Sequence, residues 1–218
     1  MHVPRRAALW AAAFAIFGAA PLAAQTDFRN LDEDRPTHTE DALPVDRYGF
    51  ELVLPYALEA EDETRLHLTT PELVYGVRQG GEVGLALPLA ALDEVGGTTW
   101  GLAGARLFAL QNLVAEGPAA PALALRADLS LPVGGFGGDD PVLSLKAIGT
   151  RSWGPIRAHA NASVTPTSDQ PGPAAEPEWS AGLAVDRTFF RSGLLVLGEL
   201  SVLEEPGAAA RHRAPGSA

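Results

Sequence analysis

The residues of this sequence with the clearest chemical potential are a histidine, an asparagine and a serine at alternate positions, His159, Asn161 and Ser163. On an extended strand they share one face, with His159 and Ser163 separated by about 13 Å. A nucleophilic hydroxyl and its base must lie within hydrogen-bonding distance. A serine that cleaves lipid would therefore have to come from a neighbouring strand. We expect a polar strand face here, and we do not predict an enzyme.

Other catalytic and cofactor chemistry finds little support in the sequence. The chain has no cysteine, which excludes disulfides, thiol catalysis and thiolate metal sites. His38, His67 and His212 lack metal-ligand spacing. The acidic stretches 61–63 and 139–140 resemble solvated loops more than Ca²⁺ ligands. No glycine-rich loop precedes a helix and a lysine, as a phosphate site requires. We predict no metal and no cofactor.

The remaining candidates are single charged residues on otherwise apolar strands. If the strand registers hold, all of them face one interior. They are Glu51, Arg106, Arg126, Asp128, Lys146, Arg157, His159 and Glu199. Facing rings of charge set the selectivity of pores. The same charges can equally form internal salt bridges that fill a narrow barrel. The two interpretations are compatible, and the sequence leaves both open.

The elements that must position these charges are β-strands, because apolar residues alternate with small or polar ones along most of the chain. In the stretch from Ile156 to Val164, Ile and Ala alternate with Arg157, His159, Asn161 and Ser163. Nine candidate strands cover residues 47–60, 65–77 (interrupted near Pro71), 82–89, 100–113, 122–133, 142–153, 156–164, 179–187 and 193–203. Short turns near 61–64, 78–81 and 154–155 separate them from longer expected loops at 90–99, 134–141 and 165–177.

Most of these strands exceed the usual length in globular proteins and match tilted transmembrane strands. The fold class that we predict is all-β, an antiparallel up-and-down meander of the transmembrane-barrel type. A soluble periplasmic β-sandwich or barrel that binds a hydrophobic ligand shows the same alternation and is the alternative. A lipid hydrolase in the outer membrane is a third hypothesis.

The N-terminus has the three parts of an export signal: Arg5 and Arg6, an apolar run over 7–20, and small residues before a cleavage site between Ala24 and Gln25. Four segments follow from this and from the strand pattern: a signal peptide (1–24), an extended N-terminal segment (25–46), a β-barrel domain (47–203) and a disordered or aberrant C-terminal tail (204–218). The expected location is the bacterial outer membrane, with the periplasm as the alternative.

The net charge excludes one class of partner. Loss of two arginines with the signal changes the formal charge from −11 to −13. A surface this acidic, with no basic patch, repels nucleic acid. The partners that we expect are outer-membrane lipid, a small-molecule solute and the barrel-assembly machinery.

Residues 35–45, with Arg-Pro at the start and Thr-Glu-Asp-Ala within, lead into Gly49, Glu51 and Leu52. Further stretches of the same pattern follow in order at 71–77, 82–88 and 129–134. Over residues 35–203 the chain resembles the bacterial outer-membrane transporter-like family named for the meta-pathway of phenol degradation. The resemblance implies an outer-membrane β-barrel that admits small, often hydrophobic or aromatic, compounds. The substrate itself does not carry over.

The C-terminal part departs from the expected pattern. Residues 204–218 have no strand alternation and no terminal aromatic residue of the kind that the assembly machinery recognises. Nine strands is an odd number, whereas bacterial single-chain barrels have an even number. We therefore expect that the final strands are missing from this chain and that the barrel is incomplete.

Overall fold

A computed structural model describes residues 31–33, 36–61, 64–166, 177–189 and 194–204. Every regular element in these ranges is a β-strand. The predicted signal peptide, its cleavage site at Ala24 and Gln25, and residues 205–218 of the predicted tail lie outside the described residues. No helix in the described part of the chain is long and apolar enough to cross a membrane.

The described ranges contain fifteen strands. They are β1 (Asp32–Glu33), β2 (Pro36–Thr37), β3 (Phe50–Val53), β4 (Tyr56–Glu61), β5 (Thr64–Thr69), β6 (Glu72–Arg78), β7 (Gly81–Ala86), β8 (Leu89–Glu94), β9 (Gly97–Leu102), β10 (Ala105–Val114), β11 (Ala122–Leu131), β12 (Val142–Trp153), β13 (Ile156–Thr165), β14 (Glu178–Phe189) and β15 (Leu194–Glu204). Strands β1 and β2 form a short parallel pair. The prediction of an all-β antiparallel meander is confirmed by the remaining thirteen.

A nine-stranded antiparallel sheet has the order β15-β14-β13-β12-β11-β10-β7-β6-β3, and a four-stranded sheet has the order β4-β5-β8-β9. The four-stranded sheet continues the N-terminal strands of the larger one past a row of breaks. The breaks contain Pro55, Pro71, Pro88 and Gly104. Proline cannot donate a ladder hydrogen bond, and Gly104 has a φ of 117°. The predicted interruption near Pro71 is one of these breaks.

Predicted strands 47–60 and 65–77 each correspond to two strands joined across a break. Predicted strands 82–89 and 100–113 correspond to β7 and β10, with only small parts of β8 and β9, and each of the other five corresponds to one strand. One expectation about the loops was wrong. Residues 90–99 form most of the β8–β9 hairpin, with a tight turn at Val95 and Gly96. The alternation of apolar and polar residues is weak in the sequence of this hairpin, because most of its side chains are partly or fully exposed on both faces.

The nine-stranded sheet has an inverted distribution of polarity. Its outer face, defined by side chains such as Leu73, Leu125, Leu145 and Leu183, is apolar and exposed. The opposite face, here called the inner face, is buried. Among the described residues, 14 polar or charged side chains are buried against 11 hydrophobic ones. Five of the hydrophobic ones form one small cluster, namely Ala42, Leu110, Ala122, Ala124 and Ile148.

Strands β3 and β15 are the two edges of the larger sheet in the part of the chain that the structure describes. A sheet with two edges is open, so the described residues form the meander without the closure of a barrel. The inner face is nevertheless covered, because the N-terminal segment lies across it.

Candidate functional site

The N-terminal segment that covers the inner face comprises residues 37–46 and is called the crossing segment. Beyond the end of β2 it has no regular secondary structure. It begins near β15, where the Thr39 N–H donates to Glu199 Oε1 at 2.6 Å. It ends near β7, where the Val45 N–H donates to Glu82 Oε2 at 2.6 Å. The segment therefore runs from one edge strand of the sheet nearly to the other.

Two glycines in the sheet allow the close approach of this segment. A Cβ atom on Gly182 of β14 would lie 2.7 Å from Thr39 Oγ1, and one on Gly76 of β6 would lie 2.1 Å from Asp46 O. Both distances are shorter than a carbon atom can tolerate. The sheet is thus shaped at both ends of the segment to receive its backbone.

Two adjacent acidic residues of the segment bind cations of the inner face. Glu40 Oε1 accepts a hydrogen bond from Arg126 NH1 at 2.6 Å, and Glu40 Oε2 lies 3.4 Å from Lys146 Nζ. Asp41 Oδ2 lies 3.3 Å from Arg157 NH1. All five side chains are buried. Buried ion pairs of this kind depend strongly on both partners, because loss of one leaves an uncompensated charge.

The inner face also contains carboxylates of its own. Arg126 binds Asp128 through Nε and NH2 at 2.9 to 3.1 Å, and its guanidinium lies 4.0 Å from the centre of the Phe108 ring. Arg157 Nε donates to Asp186 Oδ2 at 3.0 Å. Each arginine therefore lies between a carboxylate of the sheet and one of the crossing segment.

His159 belongs to a buried row of hydrogen bonds that ends on the crossing segment. The Ala42 N–H donates to Thr150 Oγ1 at 2.9 Å, Thr150 Oγ1 lies 3.1 Å from His159 Nδ1, and His159 Nε2 lies 2.8 Å from Asp186 Oδ2. Because Thr150 accepts from Ala42, its hydroxyl hydrogen can go to Nδ1. Nε2 then carries the proton toward Asp186, as in a neutral imidazole.

Threonine, histidine and aspartate in a row have the composition of a hydrolase triad, but this row is closed to substrate. Thr150, His159 and Asp186 are each at most 2 % exposed. The serine considered in the sequence, Ser163, bonds Ser180 Oγ at 2.6 Å and not the histidine. Asp186 Oδ1 is buried without a hydrogen-bond partner. Among the described residues, no group of three or more His, Asp or Glu could hold a metal ion.

Several cavities border the sheet, and two of them bear on the function of the site. The larger, of about 1000 Å³, has mostly apolar walls that include Leu68, Ala103 and Leu131, and the Arg106–Glu72 ion pair of 3.3 Å lies on its surface. The smaller, of about 230 Å³, reaches Lys146. Its other polar lining residues are His38, Asn161, Ser163, Ser180 and Ser201.

The structure brings five of the eight predicted lumen residues together in the cluster on β11, β12 and β13, namely Arg126, Asp128, Lys146, Arg157 and His159. The other three lie apart from it. Glu199 binds the start of the crossing segment, Arg106 faces the larger cavity, and Glu51 is half-buried on β3.

Sequence reasoning missed several members of the site. Glu72, Glu82 and Asp186 occupy alternate strand positions on the buried face, so the parity argument that selected the other charges could have found them. Glu40 and Asp41 had no such signal, because residues 25–46 show no period.

Comparisons with known proteins give no further guide to the site. No protein-family model matches the chain, and no curated protein and no solved structure matches it. The fold and the site therefore define only a class, an antiparallel β-meander whose polar inner face is covered by its own N-terminal segment.

Proposed function

We propose that this chain forms an outer-membrane β-barrel that acts as a passive channel or transporter for small, predominantly apolar compounds. The observation that carries the proposal is the inverted polarity of the sheet. In the part of the chain that the structure describes, thirty-five large hydrophobic side chains are exposed, among them Leu125, Leu145, Leu183 and Leu200 on the outer face. Soluble monomers rarely expose apolar patches beyond a few hundred Å². An apolar exterior around a polar interior is typical of barrels in lipid.

Strand length supports the same location. Strands β11 to β15 contain 10, 12, 10, 12 and 11 residues. A tilted transmembrane strand needs about 9–11 residues, whereas strands of globular proteins usually have about 5–6. Unpaired backbone groups are costly in lipid. The proposal therefore requires that the edges β3 and β15 be paired when the chain is in a membrane.

The larger cavity supports the expected class of solute. Most of its walls are apolar, and they come from both sheets and from the loop after β11. The charged residues among those that line this cavity are the Arg106–Glu72 pair and Asp140. A cavity of about 1000 Å³ is as large as the sites that enclose drug-sized ligands.

Fractionation of bacteria that express the full chain tests the location. We expect the protein in the outer membrane, extractable only with detergent, and with an electrophoretic mobility that changes on heating. Recovery in the soluble periplasmic fraction without detergent would contradict the proposal and support the ligand-binding alternative.

Efflux of benzenesulfonate, a small and mostly apolar anion, from loaded proteoliposomes tests the passage itself. We expect Ala103→Trp, which fills part of the larger cavity, to slow efflux. Ala160→Trp on the exposed outer face, at a position that lines neither cavity, is the matched control, and it should leave the rate unchanged. Equal rates for the two variants would show that solute does not pass through this cavity.

A further inference from the structure

Two buried cations of the inner face lie directly opposite each other on neighbouring strands. Arg126 of β11 and Lys146 of β12 are register partners, and both are less than 10 % exposed. Like charges at directly opposite positions of a sheet repel each other. Glu40 relieves this repulsion, because one carboxylate oxygen binds Arg126 and the other faces Lys146. The pair of strands therefore presents a position built for a carboxylate.

The group that occupies this position belongs to a segment without regular structure. Residues 38–46 form no strand, and the backbone around Glu40 is bonded mainly to side chains. With its amide oriented to satisfy both atoms, Asn161 donates to Glu40 O at 3.0 Å and accepts from Glu40 N at 2.7 Å. Segments with few backbone bonds of their own open more readily than strands. Glu40 thus resembles a ligand attached to the chain more than a fixed part of the inner face.

The smaller cavity gives a second carboxylate access to the same place. It reaches Lys146, and Ser163, Ser180 and Ser201 are among its lining residues. Hydroxyl and amide groups can donate hydrogen bonds to a carboxylate. Val202 and Leu203 also line this cavity and provide apolar surface for the body of a small acid.

We infer that Glu40 occupies a binding site for a small organic monocarboxylate, and that such a solute releases the crossing segment by competing for Arg126 and Lys146. A neutral solute of the same shape cannot compete, because it does not supply the negative charge between the two cations. The inference deepens the proposed function by naming a class of solute, and its biological meaning rests on that function. The binding competition itself can be measured without a membrane.

The absence of native cysteine makes the release of the segment measurable. Ala42 of the crossing segment is fully buried against the sheet, so Ala42→Cys introduces a thiol that reacts with N-ethylmaleimide only after release. The full chain in detergent is treated with butyrate or with butyramide, its neutral counterpart, at matched ionic strength. Ala90→Cys, buried in the four-stranded sheet, is the control for general unfolding.

We expect butyrate to accelerate labelling of Ala42→Cys and butyramide to have no effect. If the solute binds only the released state, the labelling rate is multiplied by 1 + [L]/Kd. This factor is about tenfold when the solute concentration is ten times Kd. Adding Glu40→Gln should raise the rate without any solute. Lys146→Gln should remove most of the butyrate response, and Lys146→Arg should retain it.

Equal effects of butyrate and butyramide would overturn the inference, and so would an unchanged rate with butyrate while Glu40→Gln raises it. A Glu40→Gln variant that labels no faster would show that Glu40 does not hold the segment. Because the measurement is made in detergent, it can succeed for a protein that fails the fractionation test, and the reverse. The two proposals therefore fail separately.

Discussion

The apolar outer face predicts a large penalty for a charge at Leu183. This residue lies near the middle of β14, is 60 % exposed, and pairs with Ala160 on one side and Leu200 on the other. If the strand crosses a bilayer, that position lies near the midplane. An arginine there costs about 2–4 kcal/mol. The folded-to-unfolded ratio should therefore fall by about 30- to 700-fold in Leu183→Arg.

A water-soluble sheet predicts a different value for the same substitution. Complete burial of a leucine contributes about 1.5–3 kcal/mol. Less than half of Leu183 is buried, so its removal costs at most about 1 kcal/mol in water. The lipid-facing and solvent-facing interpretations thus differ by more than the error of an unfolding experiment.

The assay is guanidinium unfolding of the protein reconstituted in phospholipid vesicles, followed by tryptophan fluorescence. Val95→Arg is the matched control, because Val95 is 82 % exposed and lies in the β8–β9 turn beyond the sheet. We expect that control to stay within about 0.5 kcal/mol of the parent. If Leu183→Arg is no more destabilised than Val95→Arg, the outer face does not contact lipid.

Two further substitutions test the inner face by the same unfolding assay. A Cβ on Gly84 would lie 2.1 Å from the Phe108 ring, so Gly84→Ala should destabilise the protein by about 1–3 kcal/mol. Gly198→Ala is the control, because a Cβ there has open space, and it should be close to neutral. Equal effects of the two substitutions would mean that Phe108 moves freely. Arg126→Met leaves two buried carboxylates, one of them Glu40, without their shared cation and should cost about 3–5 kcal/mol. A loss below 1 kcal/mol would indicate that water enters the cluster.

The sequence predicts which residues form strands and which side chains point to each face of the sheet, because both follow from a local period of two. In the predicted strand 156–164, Arg157 and His159 fall on one side and Ala160 on the other, and the structure buries the first two and exposes the third. Alternation along the strand alone decides which side chains are buried, and no knowledge of the neighbouring strands is needed.

Register between strands could not be predicted in the same way. That Arg126 lies opposite Lys146 depends on where the chain turns between β11 and β12, and the connecting residues 132–141 contain four glycines that set no length for the ladder. The β8–β9 hairpin was missed for a related reason, since neither of its strands has one clearly apolar face.

The crossing segment was beyond local reasoning altogether. Glu40 meets its cations across 86 and 106 positions of sequence, and Asp41 meets Arg157 across 116. A segment without a period gives no indication of which face it will cover. The resemblance singled out residues 35–45 as the start of a family pattern, but it gave no physical reason for the acidic pair.

The lumen charges have two interpretations, pore selectivity and internal salt bridges, and the position of Glu40 and Asp41 relates the two to each other. In the described state, Arg126, Lys146 and Arg157 are engaged by Glu40 and Asp41, so they form internal salt bridges and close the inner face. Release of the crossing segment would present the same three cations to a solute. Cations on adjacent strands are costly to bury without an anion, so the empty state would favour entry of an anion over that of a neutral molecule. If the chain forms the proposed channel, the residues that close it in the described state are therefore the ones that would set its selectivity when it opens, and a substitution at Lys146 should change both properties together.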